Sequence, residues 1–321
     1  MPRNSNSVLF SLLFLFAIAG SAQDYPLKPI KIVAPFAPGS ATDYLSRLLA
    51  SHLSTVFGQQ LITDNRPGVG GAIGTEYVAK QPADGYTLLL GSQGPMVISP
   101  ALQQNLKYNT VTDFVPVSAL VWTPHVFVVR ADSPIKDVKT LVQMAKEKPN
   151  SILYGSGGSG SSQHLTVSNF ATAAHVELTH VPYKGSVAAI TELIGGATTF
   201  LSDTATVVLP YLANGKLRPI AVVPSSRIPQ LPDVPTIMEQ GVPLSNNGWN
   251  FMFAPTGTPN AIVVKLDAEI RKVLARADVK KILFDQGYTI MEMPREEIAE
   301  FIKGEVPKWR KIVVASGAKI E

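Results

Sequence analysis

The chain has no cysteine among its 321 residues, so it can form no disulfide and offers no thiolate as nucleophile, metal ligand or lipid anchor. Charge is also sparse. Asp, Glu, Lys and Arg make up 16% of the residues, against about a quarter in ordinary globular domains, which excludes a disordered chain, a coiled coil or a polyelectrolyte. Histidine occurs only at positions 52, 125, 164, 175 and 180, with no HExxH, no G-x-S-x-G elbow and no Walker A loop. A zinc hydrolase, an acyl-transfer triad and a P-loop enzyme therefore have no residues to stand on. The excess of 28 Lys and Arg over 24 Asp and Glu is scattered, with no run of five basic residues, so nucleic acid is set aside as a partner. Beyond the N-terminus no segment reaches about 18 uninterrupted apolar residues, the minimum for a membrane-spanning helix.

What is present is a large apolar fraction, 45%, enough for a buried core. The length suits two lobes at roughly 100–200 residues per domain. Arg3, the apolar run Val8–Ala19 and the small residues Gly20, Ser21 and Ala22 form a secretory leader, expected over residues 1–22. Its apolar run spans only about 18 Å as a helix, too short to cross a bilayer. The mature chain is thus expected to be exported.

Downstream, strand and helix patterns alternate. Ile30–Phe36 reads as a strand, Leu45–Val56 as a helix stopped by Gly58, Gln60–Thr63 and Tyr86–Gly91 as strands, and 116–130 as a long extended run broken at Pro124. A second series follows: helices at Asp137–Lys148, Ser161–Ala174 and Ser186–Ile194, with strands at Ser151–Ser156, Val176–Tyr183, Thr198–Ser202 and Pro219–Val223. After the strand Asn250–Ala254, helices at Pro259–Ala275, Ala277–Gln286 and Arg295–Ala315 have no new sheet to pack on and should return to the first lobe. The expected fold class is α/β: two lobes, each a mostly parallel sheet flanked by helices. The chain crosses twice, giving 23–124 plus 248–321 as lobe one and 125–247 as lobe two.

One enzyme motif matches formally. Gly155-Ser156-Gly157-Gly158-Ser159-Gly160 fits G-x-G-x-x-G after a strand, with Glu177 some twenty residues on, as in a dinucleotide site. It lies mid-chain, is crowded with serine, and belongs to an exported chain that meets no such cofactor. A Gly/Ser turn feeding a helix has a simpler use, because free backbone N–H groups and hydroxyls there bind an anion. The first strand ends in the same way, at Phe36-Ala37-Pro38-Gly39-Ser40-Ala41-Thr42-Asp43. Each lobe offers one such turn at the carboxyl end of its strands, where ligands of open α/β sheets sit. Two turns can clamp one small acid.

These stretches carry a family resemblance. YPLKPIKIVAPFAPGSATD (25–43), NRPGVGGAIG (65–74), PADGYTLLLG (82–91), YGSGGSGSSQHL (154–165), HVPYKG (180–185), GKLRPIAV (215–222), LPDVPTIMEQG (231–241) and APTGTP (254–259) recur in order over nearly the whole mature chain. The sequence resembles the substrate-binding proteins of tripartite tricarboxylate transporters, the Bordetella uptake gene family. The resemblance implies a two-lobed, periplasmic, non-enzymatic receptor of the periplasmic-binding-protein fold (type II-like). Such a receptor is a monomer without cofactor or metal, which closes on an organic carboxylate and delivers it to the large and small membrane subunits of a permease. It implies ligand contacts from Phe36, Ala37, Pro38, Gly39, Ser40, Ala41, Thr42 and Asp43, from Ser156, Gly158, Ser159, Gly160, Ser161 and His164, and from Asp203. Family members usually carry Gly-Gly where this chain has Gly39-Ser40, so the pocket here gains a Cβ and a hydroxyl.

The residues themselves give a more mixed picture. Ser40 and Thr42 suit either a helix cap or an anion donor, and Asp43 in a first helical turn stabilises that helix without any ligand. Asp203 at a strand end can accept from a ligand hydroxyl or amino group, or cap its own loop. Ser92 and Gln93 end another strand, and Lys184 is the nearest basic group. Phe36, Tyr183 and Trp249 are candidate aromatic walls, which would suit a flat aromatic acid, whereas a short aliphatic dicarboxylate prefers polar walls. An exported enzyme using the GSGGSG turn and a ligand-free interaction protein are the alternative readings.

Overall fold

The computed structural model describes residues 25–317 except Gln104, so the leader expected over 1–22 lies outside the described residues. The chain opens with β1 (Ile30–Ala34), α1 (Ala41–Phe57), β2 (Leu61–Asn65), α2 (Ala72–Ala79), β3 (Thr87–Ser92), α3 (Ser99–Leu102) and β4 (Phe114–Thr123). It continues through β5 (His125–Arg130), α4 (Val138–Glu147), β6 (Leu153–Ser156), α5 (Ser162–Ala174), β7 (Thr179–Pro182), α6 (Ser186–Gly195), β8 (Phe200–Thr204), α7 (Ala205–Ala213) and β9 (Leu217–Val222). It ends with β10 (Gly248–Pro255), α8 (Asn260–Ala275), α9 (Ala277–Asp285), β11 (Thr289–Ile290) and α10 (Arg295–Ser316).

The helices form where the spacing puts them. In α1 the side chains of Leu45, Leu49 and Leu53 recur every four residues and are fully buried, each worth about 1.5–3 kcal/mol of transfer free energy before chain entropy is charged against it. Gly58 ends the helix at φ 63°, a left-handed conformation that costs glycine nothing. The sequence pattern gives no element to 205–213, whose β-branched residues and Pro210 argue against a helix. Burial of Ala205 and Val208 overrides that preference.

Two sheets result, ordered β11-β4-β10-β3-β1-β2 and β7-β6-β8-β5-β9. Each is mixed rather than mostly parallel. β1 pairs parallel with β2 and β3, and β6 with β7 and β8, as the helix crossovers require. The crossing strands run the other way: β10 is antiparallel to β3 and β4, and β5 to β8 and β9. Pro124 separates β4 from β5, so one run of chain in a single direction supplies a strand to each sheet. The helical tail does return to the first sheet, with α8 and α10 packed on β4. α10 also packs on α5, and Leu165 of α5 is buried among Trp249, Phe251 and Trp309. Among the described residues no helix is long and apolar enough to cross a membrane.

Candidate functional site

The carboxyl end of β1 passes into a loop held by its own side chains. Ser40 caps α1, its hydroxyl accepting from the Asp43 N–H at 3.2 Å. Asp43 is buried; one carboxylate oxygen accepts from the Gly39 N–H at 2.9 Å and the other from Arg47 Nε at 2.9 Å. Burial works against that charge, but the Arg47 and Gly39 hydrogen bonds outweigh it and hold the carboxyl below its usual range. Asn65 completes the brace, donating to the Phe36 carbonyl at 3.0 Å and accepting from Arg47 at 3.1 Å. Asp43 therefore points inward as a strut. Ala37, Pro38 and Gly39 are exposed, Phe36, Ser40 and Ala41 are half-buried, and Thr42 is buried. Phe36 backs onto the 68–71 turn, where a Cβ added to Gly71 would lie 3.2 Å from its ring.

At the end of β3, Ser92 is half-buried and Gln93 is 3% exposed. The Gln93 amide donates to Asn246 Oδ1 and to the Asn247 carbonyl, both at 3.3 Å, tying this edge to the second crossing segment. Its Oε1 is buried without a protein partner.

The second sheet gathers a denser cluster at the matching edge. Ser156, at the end of β6, shares a 2.6 Å hydrogen bond with His180 Nε2 and accepts from the Gly158 N–H at 3.1 Å. Gly158 and Gly160 adopt φ 128° and 75°, which lets the turn double back. Ser161 then caps α5, accepting from the His164 N–H at 3.3 Å. The Gly160 N–H donates to His164 Nδ1 at 3.1 Å, so the neutral imidazole carries its proton on Nε2. The His164 and His180 rings stack with centroids 3.8 Å apart and planes parallel to within 2°, and Tyr154 stacks 5.0 Å from His180. Burial pulls both imidazoles down to about 4, and for His180 the neighbouring His164 adds to it.

Asp203, 2% exposed at the end of β8, accepts from the Thr204 N–H at 2.7 Å and from Gln163 Nε2 at 3.3 Å. Gln163 also donates to the Ser186 hydroxyl at 3.0 Å, at the start of α6. Burial raises the Asp203 carboxyl to about 6, although Ser186, Thr204 and Gln163 all favour its ionised form. The Thr204 hydroxyl, at the uncapped start of α7, is buried with no partner. Tyr183 is half-buried beside the glycine turn, Ser159 and Lys184 are exposed.

The two edges meet at Gly287 and Tyr288. Tyr288 donates to the Ala41 carbonyl of α1 at 2.7 Å, while Gly287 lies against Ala205, the first residue of α7. The first-strand loop and the Asp203 edge are thus brought together. Trp249 does not join them: it is 1% exposed and stacked 4.7 Å from Phe251, part of the core rather than an aromatic wall. Glu177 fails as a dinucleotide acid, because it precedes β7 at the opposite edge from the glycine turn and binds Asn150 at 2.8 Å. Among the described residues no group of three or more His, Asp or Glu side chains could hold a metal ion.

Sequence reasoning passed over Gln163, Ser186 and His180. Gln163 and His180 sit inside quoted motifs, and Ser186 opens the helix after one; a histidine in a strand and a glutamine in a helix look ordinary until the fold stacks them at one edge.

A family model described as "Tripartite tricarboxylate transporter family receptor" matches residues 45–318. A "UPF0065 protein in tcbD-tcbE intergenic region" of Pseudomonas sp. strain P51 is 39% identical over 292 residues, 90% of this chain and 87% of that one. Among solved structures, "R. palustris Rpa4515 with adipate" superposes with TM-score 0.85 at 33% identity, covering 92% of this chain and 99% of the other. "MatC (Rpa3494) from Rhodopseudomonas palustris with bound malate" gives TM-score 0.81 at 30% identity, covering 90% and 100%.

Proposed function

Because the chain belongs to the tripartite tricarboxylate transporter receptor family, we propose that it is a periplasmic solute-binding protein that closes on a short aliphatic dicarboxylate. In this reading residues 23–124 with 248–321 form one lobe, 125–247 the other, and residues 1–22 are removed on export. The observation that carries it is the pair of helix-entering turns, one from each sheet, at the carboxyl ends of the strands. A helix start presents about half a positive charge and free N–H groups, so a carboxylate that touches both turns stabilises the closed arrangement over the open one. The neighbours that hold adipate and malate support the ligand class.

The choice of an aliphatic acid follows from the walls. With Trp249 in the core, Phe36 and Tyr183 are the remaining candidate aromatic walls, and the groups around Asp203 are hydroxyl, amide and carboxyl. Asp203 accepts from a ligand hydroxyl or a protonated second carboxyl. Capture shifts the population to the closed form, which membrane permease subunits then recognise, and no catalytic step is involved. The test is a thermal-shift screen of residues 23–321 against aliphatic and aromatic dicarboxylates, with their diamides as controls. A ligand at about 100 times its Kd stabilises by about 2.7 kcal/mol. Shifts by aliphatic acids and not by diamides are expected; no shift with any acid would overturn the reading.

A further inference from the structure

We propose that the 286–289 turn is a clasp that sets how far the two lobes close, with Gly287 and Tyr288 as positioning residues for ligand capture. The inference rests on the receptor reading above.

The turn belongs to the helical tail, which packs on the first sheet, yet it is gripped from the second. Gln230, in the segment after β9, donates through Nε2 to the Phe284 carbonyl at 3.2 Å and to the Tyr288 carbonyl at 3.1 Å. Gly287 adopts φ +81°, and a Cβ built there would lie 2.9 Å from the backbone carbon of Ala205, 2.9 Å from its Cβ and 2.9 Å from Leu209 Cδ1. Backbone cannot swing aside as a side chain can, so only glycine lets the turn seat against α7. Tyr288, 1% exposed, carries the contact onward by donating to the carbonyl of Ala41, where the first ligand turn enters α1.

Position gives the turn its leverage. On one side Thr289 pairs with Trp122 near the end of β4; on the other the Ala205 N–H donates to the Pro124 carbonyl at 2.8 Å. The clasp therefore sits beside the first crossing between the sheets. A small separation imposed next to a hinge becomes a larger one across the cleft, so a wedge at Gly287 holds the two anion turns apart. Affinity then falls by the fraction of molecules that can still close.

The experiment compares Gly287→Ala with Gly215→Ala. Gly215 also has positive φ, +69°, but nothing lies within 4 Å of its added Cβ, so it reports backbone strain without the wedge. Because the chain has no cysteine, Thr55→Cys and Lys146→Cys, on exposed positions of α1 and α4, take spin labels at defined sites. Interlobe distances are read by pulsed dipolar spectroscopy, without ligand and with malate and adipate. Gly287→Ala should lengthen the ligand-free distance and raise the dicarboxylate Kd by about tenfold or more, while Gly215→Ala matches the wild type in both. Tyr288→Phe, which loses the hydroxyl bond to Ala41 and the hydroxyl's interaction with Thr206 of α7, should raise Kd by about threefold or more with little loss of fold. Wild-type distances and affinities in both Gly287→Ala and Tyr288→Phe would overturn the clasp. If the wild type itself neither binds nor closes on any dicarboxylate, the receptor reading fails instead, and the ligand-free distance in Gly287→Ala still decides the clasp.

Discussion

Acidification should unlatch the second anion turn through His164. The folded protein keeps this imidazole neutral down to about 4, against an ordinary value of 6.5, because burial penalises its charge and its Nδ1 is occupied by the Gly160 N–H. The unfolded chain takes up the same proton near 6.5. Below that pH the unfolded state therefore binds more protons than the folded one, and stability falls with pH until about 4. At 1.36 kcal/mol per unit, a drop from 6.5 to about 4 amounts to about 3 kcal/mol for a side chain only 6% exposed. Asp203 works in the opposite direction. Its carboxyl is raised from 3.8 to about 6, so the folded state gains a proton first and is stabilised by a similar amount as pH falls through that window. His180 and His125, also pulled down to about 4 by burial, add to the His164 loss, so the wild-type curve alone does not isolate one group.

The difference between the wild type and His164→Asn isolates His164. Asparagine keeps an acceptor close to the Nδ1 position but does not titrate. Urea unfolding of both proteins from pH 7 to pH 4 should show the wild type losing about 3 kcal/mol relative to the variant, with most of the change below pH 6. His180→Asn should behave in the same sense, since burial first and the neighbouring His164 second disfavour the His180 charge. A stability difference that stays constant with pH would refute the reasoning, because it would mean that His164 titrates alike in both states.

Asp203→Asn should remove the opposing slope: relative to the wild type it should gain about 3 kcal/mol at pH 7 and nothing near pH 4, read by the same urea titration. Ser161→Ala should cost about 1 kcal/mol of stability through the lost cap of α5 and also raise the dicarboxylate Kd in calorimetric titration; an unchanged Kd would leave Ser161 as a cap alone.

The alternation of elements was legible because its causes are local. β-branched runs and helix caps mark α5, β3 and β5 within a residue or two of where they lie, and period-four leucines with a glycine stop mark the end of α1, whose first turn at Ala41 lies four residues ahead of the leucine pattern. The mixed direction of the sheets was not, since nothing near β10 in sequence shows that it inserts between β3 and β4. The same distinction holds at the candidate site. Ser40 and Ser161 announce themselves as caps from their immediate neighbours. The stacking of His164 on His180, the bond from Gln163 to Asp203 and the reach of Tyr288 to Ala41 depend on pairs 16, 40 and 247 positions apart. Trp249 goes into the core because its neighbours on β10 are all buried.

The insertion of β10 between β3 and β4 also orders events as the chain is made. The strands of the second sheet are contiguous in the chain, from β5 to β9, so they are complete as soon as residue 222 has been added. The first sheet has no such independence. Its β1–β3 half and β4 lack the strand that joins them until Pro255 has been added, and α8 and α10 arrive later still. While residues 93 to 255 are added, the amino-terminal half must wait with an open edge on β3, the kind of edge that pairs with another chain or recruits a chaperone. The part of the molecule made first is thus the part finished last.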